Sequence, residues 1–254
     1  MQIDLTDKRV LVTGSSRGIG NGIAQMFLDA GARVAVNGSS DQSTRHAVAA
    51  FDAGDRVVSA PGSVAEVEGC RAIVEAATAG LGGLDILVNN AGWGDSSVFG
   101  ETSEELWDRT INTNLKGVFF TTQFAAPALR QAKGAIVNFS SVFALVGSPG
   151  ASVYGAAKAG VINLTKTMAL ELAPDVRVNA VCPGGVDTDM LRELAVAMSG
   201  SVEAGYAVLA QDATAMKRIA HIRELAGPVL YLCSDLASFV TGSVHVVDGG
   251  ETID

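Results

Sequence analysis

The sequence predicts an α/β protein, a doubly wound parallel sheet with helices on both faces. Three observations carry this. Short apolar runs alternate with longer amphipathic stretches along all 254 residues, and such alternation argues for parallel strands joined by helical crossovers. Val10-Leu11-Val12, Ile86-Leu87-Val88 and Ala135-Ile136-Val137 are apolar without a break, as strands covered on both faces are. The first strand runs straight into a glycine-rich turn and a helix.

Taken in order, strands are predicted over 8–13, 32–37, 55–60, 84–88, 134–140, 176–182 and 243–247. Helices are predicted over 18–30, 42–53, 64–80, 102–130, 152–173 and 221–234. There is no internal repeat and no interdomain linker, so 1–254 reads as a single domain. A long stretch over about 185–217 interrupts the alternation, with helix-like pieces such as Asp189–Leu194. It follows a strand end, where α/β sheets bind ligands, and is expected to act as a substrate loop.

Hydrophobic residues make up 48% and charged residues 18%, enough apolar material for one large core. The formal net charge of −9 disfavours nucleic acid and anionic membrane surfaces as partners. No apolar run has the length of a membrane span. Met1-Gln2-Ile3-Asp4-Leu5 shows no basic or apolar leader, so a cytoplasmic protein is expected. Cys70, Cys182 and Cys233 are odd in number and widely spaced, and read as reduced thiols. His46, His221 and His245 have no metal-ligand spacing, and no metal is expected.

The glycine turn reads Thr13-Gly14-Ser15-Ser16-Arg17-Gly18-Ile19-Gly20. Gly14 permits a tight turn, Gly18 lets backbone approach a ligand, and Gly20 permits close helix–strand packing. The following helix directs free N–H groups and partial positive charge at an anion, here expected to be a dinucleotide pyrophosphate. Farther along, Tyr154 and Lys158 stand four apart in an Ala-rich helical stretch and share a face. An ammonium beside a phenol favours phenolate, so Lys158 is expected to lower the pKa of Tyr154 and make it a proton donor or acceptor near neutrality. Ser141 ends an apolar strand thirteen residues before Tyr154.

With Asn89-Asn90-Ala91-Gly92, Asn112-Thr113-Asn114-Leu115-Lys116-Gly117, the Arg177–Gly185 segment and Val247-Asp248-Gly249-Gly250 added in that order, the chain resembles a short-chain dehydrogenase/reductase of the roughly 250-residue type. The resemblance runs from about Leu5 to Gly250. It implies a Rossmann fold with seven strands in the order 3-2-1-4-5-6-7. It implies a catalytic set of Asn114, Ser141, Tyr154 and Lys158. Tyr154 would move the proton, Ser141 would bond the substrate oxygen, and Lys158 would also bond the nicotinamide ribose. Asn114 would hold a water that links Lys158 to solvent.

The resemblance also implies a cofactor cleft. Gly14, Ser16, Arg17, Gly18, Ile19 and Gly20 would hold the pyrophosphate end. Asn37, Gly38, Ser39, Ser63 and Val64 would hold the adenosine end. Asn90, Ala91 and Gly92, with Asn89 beside them, would line the middle. Pro183, Gly184, Val186 and Thr188 would join Tyr154 and Lys158 at the nicotinamide. NADP(H) is favoured over NAD(H). Gly38 stands where NAD-preferring relatives carry Asp, and Arg17 resembles the basic residue of NADP-preferring ones. Against this, position 39 lacks the Arg often found there, Asp41 is close by, and Ser63 replaces the usual Asp.

Trp93, Ser141, Phe143 and Met190 would form the substrate pocket, with Ala144, Leu145, Val186 and Leu191 around them. Such walls suit a small, mainly apolar ketone or secondary alcohol. Two alternatives stand beside this reading. One is a 3-oxoacyl-[acyl-carrier-protein] reductase, disfavoured by the acidic charge and by Glu171 near Arg130 and Lys133. The other is a non-catalytic dinucleotide sensor, disfavoured by the intact set of four. Helices around 115–126 and 156–164 carry few charges on any face, so a partner subunit is expected to cover them. The resemblance implies a second interface near Phe239–Val244, so a homotetramer is expected.

Overall fold

The structure, a computed structural model, describes residues 3–94 and 96–253. The side chains of Met190 and of 211–213 lie outside that description, so the pocket role expected of Met190 has no structural counterpart. The strands are β1 (Arg9–Val12), β2 (Arg33–Val36), β3 (Val57–Ser59), β4 (Ile86–Asn89), β5 (Ala135–Phe139), β6 (Arg177–Pro183) and β7 (Val244–Val247). They form one parallel sheet in the order β3-β2-β1-β4-β5-β6-β7.

The helices are α1 (Gly18–Asp29), α2 (Asp41–Ala50), α3 (Val67–Leu81), α4 (Glu104–Ile111), α5 (Gly117–Ala132), α6 (Ser152–Leu172), α7 (Asp189–Ser199), α8 (Val202–Ala213) and α9 (Ile222–Cys233). Side chains alternate across a strand, so each central strand feeds two cores. Val10, Val12, Val34 and Val36 pack with Ile23 and Phe27 of α1 and Leu225 and Val229 of α9. Leu11, Leu87 and Ile136 face the other way, onto Ile73 of α3, Leu129 of α5 and Met168 of α6. All three cysteines are free and buried in the described structure. Among the described residues no helix is long and apolar enough to cross a membrane.

Two elements differ from expectation. The single helix over 102–130 is a rod with a π turn, Asn112–Lys116, between α4 and α5. Asn114 sits in that turn, and its Nδ2 donates to the Thr110 carbonyl at 2.9 Å and to the Trp93 carbonyl at 2.6 Å. A π turn is one residue looser than an α turn. Here it accompanies a side chain that bonds a separate loop. The stretch over 185–217, in turn, is not irregular. It is a helical hairpin, α7 and α8, which pack chiefly on each other.

The strand order reverses between β1 and β4, which sends the following connections to opposite sides. The cleft beyond those strand ends is where a doubly wound sheet receives its ligand. The glycine turn, Asn90, Ser141 and Gly184 all lie just past the carboxyl ends of β1, β4, β5 and β6.

Candidate active site

The glycine turn is shaped by close approaches. Gly14 has φ +64°, and a Cβ there would lie 2.8 Å from the Ala91 Cα. A Cβ on Gly20 would lie 2.5 Å from the Gly14 carbonyl oxygen and would also strike Asn90. Gly18 has φ +59° with nothing within 4 Å of its Cβ position. Backbone there is open to a ligand, and α1 begins at the same residue without a side-chain cap. Its first N–H groups are available to an anion. Ser16 is half-buried in the turn, and Ile19 packs partly on the α1 core.

The turn is held from behind by residues whose roles are positional. Asn37 is buried; its Oδ1 accepts from the Gly14 N–H at 2.9 Å, and its Nδ2 donates to the carbonyls of Ala60 and Gly62 at 2.8 and 3.1 Å. Its amide is thus committed to the protein's own backbone. Thr13 Oγ1 accepts from the N–H groups of Asn90 and Ala91, each at 3.0 Å. Asn90 Nδ2 returns a bond to the Thr13 carbonyl at 3.0 Å. The glycine-turn motif gives Thr13 no role of its own. Its place directly before the glycine turn was the available signal.

Asn89 does not line the cleft. Its side chain is buried, and Nδ2 donates to Thr122 Oγ1 at 3.0 Å and Asn138 Oδ1 at 2.8 Å, tying β4 to β5 and α5.

At the end of β2, Gly38 is enclosed. A Cβ there would stand 2.7 Å from Ser43 Oγ, 2.8 Å from Thr44 Oγ1 and 3.1 Å from Ser16 Cβ. Glycine at 38 therefore has a packing reason as well. Ser39 is exposed, and Ser40 caps α2 by accepting from the Ser43 N–H at 3.2 Å. Arg17 is exposed, and among the described residues no hydrogen bond or ion pair holds its guanidinium. Ser63 Oγ accepts from the Ala65 N–H at 3.3 Å, and buried Val64 lies against Gly117.

Ser141, Tyr154, Lys158 and Asn114 converge beyond β5. Ser141 is nearly buried and its Oγ accepts from the Phe143 N–H at 3.3 Å, capping a short 3₁₀ turn. The neighbouring Ser140 hydroxyl is committed elsewhere, donating to the Lys158 carbonyl at 2.8 Å. Tyr154 and Lys158 share a face of α6, with Nζ 5.6 Å from the phenol ring centroid. Nζ donates to the Phe139 carbonyl at 2.9 Å. Asn114 is buried, and its Oδ1 accepts from the Trp93 N–H at 3.3 Å. With both amide ends bonded to Trp93, its side chain clamps that loop. Gly92 fits between them: a Cβ there would lie 3.0 Å from Asn114 Oδ1 and 3.6 Å from Lys158 Nζ.

A family model described as enoyl-(acyl carrier protein) reductase matches residues 14–252. A 3-oxoacyl-[acyl-carrier-protein] reductase of Staphylococcus aureus is 41% identical over 247 residues, 96% of this chain and 97% of its own. A probable galactose dehydrogenase of Rhizobium meliloti is 38% identical over 252 residues, 97% of this chain and 96% of its own.

The chain belongs to the short-chain dehydrogenase/reductase family.

The crystal structure of an L-sorbose reductase from Gluconobacter frateurii, complexed with NADPH and L-sorbose, superposes with TM-score 0.94 at 30% identity and full coverage of both chains. This short-chain dehydrogenase/reductase is an NAD(P)-dependent oxidoreductase.

The electrostatics of its site correct one expectation. The Tyr154 phenol is pushed up, not down. Burial dominates, and a hydrogen bond with the Ser141 hydroxyl only partly opposes it. Lys158 is itself pulled down to about 8 by burial, with Cys182 nearby opposing. Spacing on a helix puts the two groups on one face, but dehydration governs both.

At the substrate end of the dehydrogenase/reductase, Trp93 is half-buried and packs under the Arg109 guanidinium, 4.1 Å from the ring centroid. Phe143 meets the Tyr154 ring edge-on with centroids 6.4 Å apart, and both Phe143 and Leu145 are partly exposed. Pro183 ends β6. A Cβ on Gly184 would meet Glu251 and lie 3.0 Å from Asp248. Val186 bridges to Ala220, and Thr188 Oγ1 caps α7 by accepting from the Leu191 N–H at 3.3 Å. Glu251, which sequence reasoning passed over, has its carboxyl pushed up by burial and lies against the Gly184–Gly185 turn.

Proposed function

We propose that this enzyme transfers hydride between NADP(H) and a small, mainly apolar ketone or secondary alcohol. The observation that carries the reading is the convergence of Ser141, Tyr154 and Lys158 past β5, beside an open glycine turn and apolar walls. The open backbone at Gly18 and the uncapped start of α1 fit a pyrophosphate. Arg17, exposed in the glycine turn, and Ser39, exposed past the end of β2, fit the extra phosphate of NADP(H). When bound, the nicotinamide supplies or accepts the hydride. Tyr154 gives its phenolic proton to the substrate oxygen on reduction and takes the hydroxyl proton on oxidation. The Ser141 hydroxyl donates to that oxygen and steadies its growing charge. Asn114 fixes the Trp93 wall. The chain acts as one domain, with the α7–α8 hairpin as the substrate loop.

A second reading, 3-oxoacyl-[acyl-carrier-protein] reductase, is favoured by the 41% identical relative. The net charge of −9 opposes docking of an acidic carrier. Arg130 is held against the Glu171 carbonyl at 2.9 Å. The other two relatives named above act, by their names, on sugars. A panel of apolar ketones, secondary alcohols, galactose, sorbose and a 3-oxoacyl thioester, assayed with NADPH and NADH, decides among these. Apolar carbonyls with NADPH should show the highest kcat/KM. A clear lead for the thioester or a sugar would displace the first reading.

Arg17→Ala tests the cofactor choice. KM for NADPH should rise about tenfold, the scale of one charge-assisted hydrogen bond, with NADH changed less than about twofold. Equal effects on both cofactors would remove the basis for NADP(H).

The enzyme is further proposed to be a homotetramer. Leu170 on α6 is 83% exposed, Phe119 on α5 and Trp107 on α4 are also exposed, and Phe239 near the carboxyl end is fully so. Apolar surface of this kind asks for a self-complementary partner. Light scattering should give four times the 26.0 kDa chain mass, and Leu170→Glu should lower it. A monomeric parent protein would refute the interface.

A further inference from the structure

The α7–α8 hairpin is built as a unit. Gly205 of α8 lies directly on Ala195 of α7, so close that a Cβ at 205 would collide with it. The two helices pack chiefly on each other. A cavity of about 470 Å³ separates α8 from the 217–221 segment; Asp187, Glu203, Tyr206, Lys217 and His221 are among the residues lining it. The hairpin's ends are fastened, with Thr188 capping α7 and the Met216 N–H bonded to the Gly249 carbonyl at 2.9 Å. Its body leans over a gap.

One carboxylate bridges to that body. Asp187 follows β6, between Val186 and Thr188, both assigned above to the cofactor cleft. Its N–H donates to the Ala220 carbonyl at 2.9 Å, which fixes it to the frame. Its Oδ1 accepts from Arg192 Nε at 2.7 Å and its Oδ2 from Arg192 Nη2 at 3.0 Å, a bidentate pair with α7. Oδ1 also accepts from the Tyr206 hydroxyl at 2.8 Å, across the hairpin on α8. One half-buried side chain thereby gathers both helices onto the strand exit that carries Thr188.

We propose that Asp187 is a positioning residue, and that its bond from Tyr206 holds the hairpin in the substrate-binding arrangement. This rests on the reading of the hairpin as the substrate loop. An isolated exposed ion pair does little. Here the phenol adds a second helix to a geometrically fixed carboxylate, and hydrogen bonds to charged groups are the stronger ones. If the bond biases the hairpin toward its binding-competent state, losing it lowers the competent fraction and raises the apparent substrate dissociation constant in proportion.

Tyr206→Phe removes one oxygen and keeps the ring. In the full-length enzyme, KM for the carbonyl substrate should rise about tenfold, while kcat stays within about twofold and the NADPH Kd does not change. Asp187→Ala combined with Tyr206→Phe should cost less than the product of the two single effects, since both remove the bond between Tyr206 and Asp187. Hydrogen exchange supplies a readout that needs no substrate. Amides of 202–210 should exchange about tenfold faster in Tyr206→Phe, with those of α9 unchanged. Unchanged exchange would overturn the clamp. Faster exchange with an unchanged KM would keep the tether but overturn its role in substrate binding, and with it the hairpin's reading as the substrate loop. Faster exchange across the whole chain would also overturn the proposal, as general destabilisation.

Discussion

Tyr154→Phe should reduce turnover by about 10²–10⁴-fold, the usual cost of a missing general acid, with cofactor binding retained. Phe keeps the edge-on contact with Phe143 and the packing beneath Gly94, whose Cβ position lies 3.5 Å from the Tyr154 ring. What disappears is the hydroxyl that meets Ser141. No other phenol takes its place, since Tyr206 is bonded to Asp187 and Tyr231 lies on α9. The parent enzyme should show a signed pH dependence as well. Burial raises the Tyr154 pKa, so the protonated form needed for reduction persists well above neutrality. Oxidation needs the phenolate and should accelerate as pH rises. Steady-state kcat in both directions, with fluorescence titration of NADPH, checks this. A variant retaining more than about a tenth of parental kcat would remove Tyr154 from its role.

How far the sequence carries depends on what kind of force decides each feature. Val10-Leu11-Val12 and Ile86-Leu87-Val88 announce strands buried on both faces, because no other environment tolerates unbroken apolar runs of that kind beside helical crossovers. Gly14, Gly18 and Gly20 announce a turn whose backbone must approach something, and the close contacts at Gly14 and Gly20 supply the reason. The π turn at Asn112–Lys116 was not legible. Nothing in local propensity marks it, and it accompanies a bond between Asn114 and a loop more than twenty residues earlier, at Trp93. The hairpin was legible only in pieces, because the packing of Ala195 on Gly205 is a contact between two helices, not a pattern within one.

The site shows the same division. Residue types and spacing single out Ser141, Tyr154 and Lys158, and these lie together past β5. Those cues misjudged the sign of the Tyr154 shift, because the charge of Lys158 is a sequence fact whereas dehydration depends on every neighbour. The family resemblance implies that Asn37 and Asn89 face the cleft. Both instead satisfy buried polar groups, an obligation that sequence position alone does not display.

Lys158→Met should abolish activity and yet stabilise the folded chain. Nζ is buried, with its pKa brought from 10.5 to about 8. The folded state therefore binds its proton less tightly than the unfolded state does. Below about pH 8 both states hold the proton, and the folded chain carries the full cost of a dehydrated charge, on the order of 3 kcal/mol at 1.36 kcal/mol per pKa unit. Between pH 8 and 10.5 the unfolded chain binds more protons, so the stability of the parent rises with pH through that window. Methionine has similar length and no charge. It forfeits the bond to the Phe139 carbonyl, worth about 1 kcal/mol or somewhat more, so a net gain of about 1–2 kcal/mol remains at neutral pH. Melting of the cofactor-free protein should thus be several degrees higher in the variant at pH 7, the margin narrowing toward pH 10. Turnover should fall at least about a hundredfold, and NADPH should bind more weakly if Lys158 reaches the nicotinamide ribose. A variant that is less stable by the same amount at every pH would mean that Lys158 keeps its ordinary pKa in the folded protein, and that dehydration of its charge is not a cost the fold carries.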